Sequence, residues 1–314
     1  MQAASSHAQN PRRAASFPDV QQRVADYFDA EQTIEFYRDF WDVEHYHFGY
    51  YQLGMNPLDL RSMTNTMALR VIAELGIGSQ LPDDATILDL GCGVGGTARM
   101  LARIYPKLRV IGVNISARQL EIARARSAAA GLADRLSFYF DDFTDIRSVR
   151  ERVDGAIAIE AACHAPDPDK ADVVGEAARL LKPGGRLVVA DGFRTTSTSL
   201  YPALDRAYRF WCDGWRVPGL ADIHRFCAAL GRYGFESLHV EDLSWRVAPS
   251  MAYGVAKAIG KAVSLGVRGK LGRATYDSQE FMVGFSAAFL GLNKHKFGYY
   301  IVSATKGERL HLVA

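Results

Sequence analysis

Cysteine is scarce in this sequence, and the few cysteines show no pairing typical of a metal or redox site. The chain of 314 residues has four, at positions 92, 163, 212 and 227, and none forms a Cys-x-x-Cys motif. Disulfide frameworks and zinc ribbons need cysteines that are denser or more closely spaced. The usage is typical of a reducing compartment, so we expect a cytoplasmic protein.

A strong excess of charge and a long apolar run are also lacking. Lys and Arg number 37 against 35 Asp and Glu, which leaves a net charge of +2 and no overall field to attract nucleic acid. No run approaches the roughly 20 apolar residues of an integral membrane segment. Residues 1–16 lack an apolar centre, so we expect a disordered tail rather than a secretory signal, and an organelle transit peptide stays open.

Glycine is concentrated in one segment that follows a short apolar run. Ile87 to Gly96 reads Ile-Leu-Asp-Leu-Gly-Cys-Gly-Val-Gly-Gly. Glycines at a strand-to-helix turn let a ligand approach the main chain closely, although the spacing alone also suits a dinucleotide site or an empty turn. Asp89 would repel a pyrophosphate and would suit a cationic ligand. With Gly91 and Gly93, it resembles the first motif of the class I S-adenosylmethionine (SAM) methyltransferases.

The segments that follow continue this resemblance in the order that the family has. A predicted strand from Leu108 to Val113 leads to Asn114 and then to Gln119 on a second helix, and Asn114 can bind a ribose hydroxyl. A third strand, Leu136 to Phe140, is followed by an acidic segment where the family binds the adenine amine. The resemblance assigns SAM binding to Asp89, Gly91, Gly93, Asn114, Gln119, Asp142, Phe143 and Glu160.

The alternation of strands and helices predicts an α/β fold. We expect a Rossmann-like, doubly wound, seven-stranded sheet with a helical N-terminal lid and helical cap insertions. After the tail, residues 17–314 are expected to form a single domain with a lid or lead-in (17–79), a SAM-binding core (80–195), and a substrate cap with the last strands (196–314). The lead-in from Phe17 to Tyr51 is predicted to be helical, the sixth strand to run from Glu236 to Trp245 and the seventh from Phe297 to Ala304.

The end of the predicted fourth strand resembles the sterol C-methyltransferases nearly residue for residue. Ile159 to Asp167 reads Ile-Glu-Ala-Ala-Cys-His-Ala-Pro-Asp. The resemblance implies catalytic roles for Glu160 and His164. Glu160 is a candidate base or a partner of the sulfonium, with a carboxylate paired inside the fold as the alternative. His164 either relays a proton or caps the next helix.

Aromatic residues are concentrated in the lead-in, in a pattern similar to the lid of small-molecule methyltransferases. Such rings can form a dry wall that faces a cation, although each ring is as readily explained by packing onto the sheet. No cluster of further ligands accompanies the histidines, so we expect no metal. Trp211 and Trp215 suggest the cap, where Asp213 is the single acid in a segment that is more acidic in the sterol enzymes. The predicted substrate contacts are Tyr27, Tyr37, Trp41, Tyr46, His47, Tyr50, Tyr51, Trp211 and Trp215.

Together these features predict a SAM-dependent methyltransferase that acts on a hydrophobic small molecule. C-methylation of an alkene in an isoprenoid or sterol-like acceptor is favoured. O-, N- or aromatic C-methylation of a secondary metabolite is the alternative, and a SAM-binding regulator without turnover is a remote one. The sequence leaves a homo-oligomer open.

Overall fold

The computed structural model describes residues 19–267 and 275–308. The predicted tail, residues 1–16, lies outside the described residues. The described residues form a seven-stranded mixed sheet of order β3-β2-β1-β4-β5-β7-β6, in which β7 is antiparallel to β5 and β6. The predicted α/β, Rossmann-like fold is therefore confirmed.

The strands alternate with helices in chain order. The strands are β1 (Thr86–Leu90), β2 (Arg109–Asn114), β3 (Leu136–Phe140), β4 (Val153–Ile159), β5 (Leu181–Arg194), β6 (Phe235–Asp242) and β7 (Phe297–Lys306). The helices are α1 (Asp19–Asp29), α2 (Glu31–Phe40), α3 (Leu60–Glu74), α4 (Gly96–Ile104), α5 (Ala117–Ala129), α6 (Ala171–Leu180), α7 (Pro202–Trp215), α8 (Ile223–Arg232), α9 (Ser244–Val267) and α10 (Thr275–Leu292), with a 3₁₀ turn at Ala162–His164.

The central strands are apolar on both sides because helices cover both faces of the sheet. Every residue of β1 is buried, and β4 is buried over most of its length. β1 pairs in parallel with β2 on one side and with β4 on the other. The strand order reverses between β1 and β4, so a crevice opens at their carboxyl ends, where sheets of this kind bind ligands.

Two predicted boundaries differ from the structure. The lead-in is helical only as far as Phe40, and the chain from Trp41 to Asp59 is irregular. It leaves the helix because its backbone N–H groups bond to distant partners, as when Gly49 donates to the Ser250 hydroxyl and Tyr51 to the Arg246 carbonyl. The sixth strand ends at Asp242, whose carboxylate accepts from the Ser244 amide at the start of α9, so Trp245 lies in a helix.

Among the helices of residues 19–267 and 275–308, none combines the length and the apolar character that would let it cross a membrane.

Candidate active site

Two neighbouring cavities lie at the carboxyl ends of the strands, and they differ in chemistry. The first, here the polar cavity, lies over β1 and β2 and is lined by the glycine-rich turn with Asp89, Asn114, Gln119 and Phe143. The second, the aromatic cavity, lies beside it and encloses an empty volume of about 1010 Å³ that is partly open to solvent. Five residues line both cavities and form their common wall: Phe28, Tyr46, His47, Glu160 and His164.

The polar cavity presents a buried carboxylate with an unused oxygen. Asp89 is the fourth residue of β1, and its Oδ2 atom has no hydrogen-bond partner among the described residues. Burial raises the pKa of this carboxyl to about 7. A ligand with a cationic or hydroxyl group would supply the partner that Oδ2 lacks.

Of the two predicted glycines of the turn, Gly93 leaves room for such a ligand and Gly91 does not. Gly91 has φ +70°, and a Cβ atom there would lie 2.6 Å from the Ala161 Cβ, so the fold itself requires glycine. Gly93 also has a positive φ, but a Cβ there would meet only Gln119 Oε1, at 3.9 Å. The open side of Gly93 therefore faces cavity space beside Gln119.

The remaining predicted cofactor residues occupy two kinds of position. Asn114 Nδ2 donates to Gln119 Oε1 at 2.8 Å, and both side chains line the polar cavity. Phe143 lines it as well. Asp142 does not, because its Oδ1 atom accepts from the backbone N–H and the hydroxyl of Thr144, both at 2.8 Å. Asp142 thus stabilises the turn after β3 through its Oδ1 atom.

Glu160 lies on the wall that separates the two cavities. It follows β4 directly and adopts φ +48°, a left-handed conformation that costs about 1–3 kcal/mol in a residue with a side chain. Its Oε1 atom accepts from the Phe48 amide at 2.6 Å and from the Tyr299 hydroxyl at 2.9 Å. Burial raises the pKa of the carboxyl to about 8, an effect that these two donors oppose and the nearby Asp191 reinforces. Such strain and electrostatics are characteristic of functional sites.

Two neutral imidazoles lie on the same wall. Burial lowers the pKa of His164 to about 4 and that of His47 to about 3. The His47 Nδ1 atom lies 2.9 Å from the Phe48 carbonyl oxygen, so Nδ1 carries the hydrogen and Nε2 has a lone pair. That Nε2 atom is buried with no partner among the described residues. The His164 Nδ1 atom faces the Arg216 carbonyl at 3.4 Å.

The structure brings most of the predicted substrate residues together. Tyr37, Trp41, Tyr46, His47, Trp211 and Trp215 line the aromatic cavity, and Tyr37 stacks on Tyr46 with ring centroids 4.1 Å apart. Glu160 and Asp191 are the charged residues of its described lining, which includes no Lys or Arg. The cavity therefore suits an apolar acceptor, or one that develops positive charge.

Three predicted substrate residues line neither cavity. Tyr27 is buried against Phe28, with ring centroids 5.0 Å apart, so Phe28 presents the ring to the cavities instead. Tyr50 packs in the core beneath the Arg246 guanidinium, which lies 5.5 Å from its ring centroid. Tyr51 is held away by the bond from its amide to the Arg246 carbonyl at 2.8 Å.

Other residues of the site were missed by the sequence analysis. Tyr299 comes from β7 and Asp191 from β5, and each lies next to Glu160 only because the strands pair. The predicted seventh strand, Phe297 to Ala304, includes Tyr299, but nothing local assigns its side chain to a cavity. Asp213, the single acid of the predicted cap segment, is exposed on α7 and lines none of the described cavities.

The N-terminal segment closes over the polar cavity. Glu44 pairs with the buried Arg99 guanidinium of α4 and, at 3.5 Å, with Arg126 of α5. The Asp29 carboxylate at the end of α1 accepts from the Ser116 hydroxyl at 2.6 Å and from the Arg118 amide at 3.0 Å. The Glu44 pairs hold residues 42–48 against both cavities, and the Asp29 contacts hold α1 against the start of α5.

Three side chains of the types that bind metal ions lie close together elsewhere in the described part of the chain. Atoms of Glu74, His239 and Glu241 lie within 4.8 Å of one another, outside both cavities. Arg70 bonds to both carboxylates, at 3.1 and 2.6 Å. These carboxylates are therefore already paired with a cation.

Comparison with known proteins identifies the family. The family model described as "Methyltransferase domain" matches residues 87–185. The chain is 32% identical over 237 residues to methyltransferase GfsG of Streptomyces halstedii, covering 74% of this chain and 80% of that protein. It is 37% identical over 163 residues to methyltransferase phqN of Penicillium fellutanum, but this match spans about half of each protein, 51% and 48%. It is 33% identical over 182 residues to sterol 24-C-methyltransferase erg-4 of Neurospora crassa, covering 58% of this chain and 46% of that protein.

Solved structures share the fold at lower sequence identity. A putative sarcosine dimethylglycine methyltransferase from Galdieria sulphuraria superposes with a TM-score of 0.74 at 21% identity, covering 90% of this chain and all of that one. Geranyl diphosphate C-methyltransferase from Streptomyces coelicolor, solved with Mg²⁺, geranyl diphosphate and S-adenosylhomocysteine (SAH), has a TM-score of 0.68 at 18% identity, covering 92% and 98%. The glycine turn, the unpartnered Asp89 oxygen and these relatives lead to one conclusion: this chain belongs to the SAM-dependent methyltransferases.

Proposed function

We propose that this enzyme methylates a carbon–carbon double bond of a hydrophobic, isoprenoid or sterol-like small molecule. The observation that carries this proposal is the common wall, where Glu160, His164 and His47 separate a polar cavity from one lined by aromatic rings. The relatives named as sterol C-methyltransferases support the acceptor class, because the protein from Neurospora crassa shares a third of its residues with this chain over the matched region.

The polar cavity is the proposed site of SAM, which supplies an activated methyl group when bound. Asp89 Oδ2 and the Asn114–Gln119 pair would bind its hydroxyl and amino groups, with Phe143 beside the adenine. The carboxylate of Glu160 would lie on the sulfonium side. In its ionised form Glu160 attracts that charge and so aligns the methyl group with the aromatic cavity.

The aromatic cavity then has two tasks once an alkene has taken up the methyl group. Positive charge develops on the acceptor carbon, and the faces of Tyr37, Tyr46 and Trp215 can stabilise it by about 0.5–2 kcal/mol for each ring. A proton must next leave a neighbouring carbon. Glu160 in its ionised form and the neutral imidazole of His164 are the proposed bases on the common wall.

A second candidate function is O-, N- or aromatic C-methylation. The buried lone pair of His47 Nε2 favours it, because an acceptor hydroxyl or amine would supply the missing hydrogen. Location of the new methyl group separates the two functions. Incubation with deuteromethyl-SAM and a panel of sterol, polyprenyl and phenolic acceptors, followed by NMR of the product, would show whether carbon, oxygen or nitrogen carries the label.

Glu160→Gln tests the role of the wall. Loss of a positioned acid or base lowers turnover by about 10²–10⁴-fold, whereas SAM affinity should stay within about tenfold, or 1.4 kcal/mol. His164→Ala should lower turnover less if His164 only orients Glu160. The matched control is Asp213→Asn, which removes an exposed acid of α7 and should leave both quantities unchanged. Normal turnover of both wall variants on an alkene acceptor would overturn the assignment.

A further inference from the structure

Helix α9 carries an apolar stripe that no described element covers. Trp245, Ile259 and Val263 are 77%, 49% and 60% exposed. At 100° per residue, positions 245, 252, 256, 259 and 263 all fall on one side of the helix, and Ala252 and Ala256 are exposed as well. A continuous apolar stripe facing water is typical of an interaction surface rather than of scattered exposed residues.

Helix α10 adds a second stripe, and the two meet at the entrance of a third cavity. Phe285, Phe289 and Leu292 follow the i, i+4, i+7 spacing and are exposed, with Leu292 at 83%. Trp245 and Leu292 both line this outer cavity, so its rim lies at the surface. The outer cavity shares Phe48, Trp211, Met251 and Tyr299 with the aromatic cavity.

The charge of α9 indicates what kind of partner covers the two apolar stripes. Helix α9 has three Lys or Arg residues and no Asp or Glu, whereas α10 has two acids, Asp277 and Glu280, near its start. Lys294 lies over the Trp245 ring, with Nζ 3.2 Å from its centroid. A second copy of the chain docked through the same surface would bring the two basic α9 helices together, which is unfavourable. An anionic membrane offers both apolar depth and negative headgroups.

We propose that α9 and α10 dock on an anionic membrane surface through these stripes, which lie on the membrane without crossing it. The outer cavity then opens toward the acyl chains, and a hydrophobic acceptor passes through it to the aromatic cavity without entering water. The passage of a hydrophobic acceptor through the outer cavity rests on the proposed function. The docking itself does not, because it needs neither acceptor nor SAM.

Vesicle sedimentation of the full chain tests the docking. Binding to phosphatidylcholine–phosphatidylglycerol vesicles should exceed binding to phosphatidylcholine alone and should fall as salt is added. The double variant Ile259→Ser/Val263→Ser removes two stripe residues that line none of the described cavities, and should weaken vesicle binding by about tenfold or more. Ile104→Ser is the control for loss of an exposed apolar side chain elsewhere, because Ile104 is 43% exposed at the end of α4 and lines none of the described cavities.

The outcomes distinguish the occupants. SAH affinity and melting temperature should be equal in the parent and both variants, since exposed side chains carry little of the folding energy. Absence of parent binding to anionic vesicles, or equal binding of the parent and the double variant, would overturn the proposal. A parent dimer that the double variant dissociates in sedimentation equilibrium would show instead that a second copy covers the stripe. Vesicle binding without methylation of any alkene would contradict only the proposed function.

Discussion

At the scale of single residues, Glu160 is the ionisable acid that lines both cavities. Its backbone is strained, its side chain is partly buried, and its Oε1 atom receives hydrogen bonds from two segments that are distant in sequence. Burial favours the neutral acid, whereas a bound sulfonium would favour the carboxylate. The protonation state of Glu160 should therefore depend on which ligand is present.

This coupling predicts a pH effect on ligand choice. SAM carries a sulfonium charge that SAH lacks, so SAM gains affinity as Glu160 ionises and SAH does not. Because the pKa of Glu160 is raised to about 8, the ratio of the SAH Kd to the SAM Kd should increase as pH rises through that value. In the proposed binding mode Asp89 would meet groups that both ligands share, so its own titration should cancel in the ratio. Calorimetry across this pH range checks the prediction.

Glu160→Gln is the control for this ratio. The amide cannot ionise, so the ratio should become independent of pH. A ratio that changes with pH equally in the parent and in Glu160→Gln would mean that another group senses the sulfonium.

At the scale of elements, the N-terminal segment has the contacts of a lid. Residues 42–48 contribute His47 and Tyr46 to both cavities and are fastened mainly by charged hydrogen bonds. Such contacts can open without disrupting the apolar core, and lids are commonly drawn from segments of low stability. We expect residues 19–51 to gain hydrogen-exchange protection when SAH binds.

Glu44→Gln should open this lid. The change replaces the carboxylate that pairs with Arg99 by a neutral amide. The Arg99 side chain is only 2% exposed, and leaving a buried cation without a counter-charge is costly. We expect faster amide exchange in residues 42–48, weaker SAH binding, and unchanged exchange in β1 and β4. Glu35→Gln removes the acid of an exposed pair on α2 and serves as the control. Equal exchange of the parent and Glu44→Gln with SAH bound would contradict the lid.

At the scale of the whole molecule, buried ionisable groups make stability depend on pH. Burial raises the pKa of Asp89 to about 7, of Glu160 to about 8 and of Asp191 to about 6, whereas it lowers those of His45, His47 and His164 to between about 3 and 4. The folded carboxyls bind protons that the unfolded chain has released, so their contribution is lost as pH rises. The histidines act in the opposite sense and only below their ordinary pKa of 6.5.

The free energy of unfolding of the ligand-free protein should therefore fall between about pH 6.5 and pH 8. The slope is limited to about 1.4 kcal/mol per pH unit for each carboxyl that stays protonated in the fold. Urea unfolding at several pH values measures it. The double variant Asp89→Asn/Glu160→Gln should show a smaller slope, and an equal slope in parent and variant would assign the effect to other groups.

The sequence alone determined the core of this protein. The first four strands and the glycine turn were predicted because short apolar strands and turn glycines leave a local signal. Glu160 and His164 were assigned by the resemblance to the sterol C-methyltransferases. The family followed from the order of these motifs. Burial on both sides of the sheet explains why these strands read as continuous apolar runs.

Only the tertiary structure decided which side chains meet at the site. Phe48 and Tyr299 bond to Glu160 across 112 and 139 residues of sequence. Tyr50 and Tyr51 contact Arg246 across 196 and 195 residues. The aromatic pattern of the lead-in is the same for a ring that lines a cavity and for one that packs in the core. Local sequence fixes the spacing of rings along the chain, but strand pairing and long-range hydrogen bonds determine which cavity, if any, each ring faces.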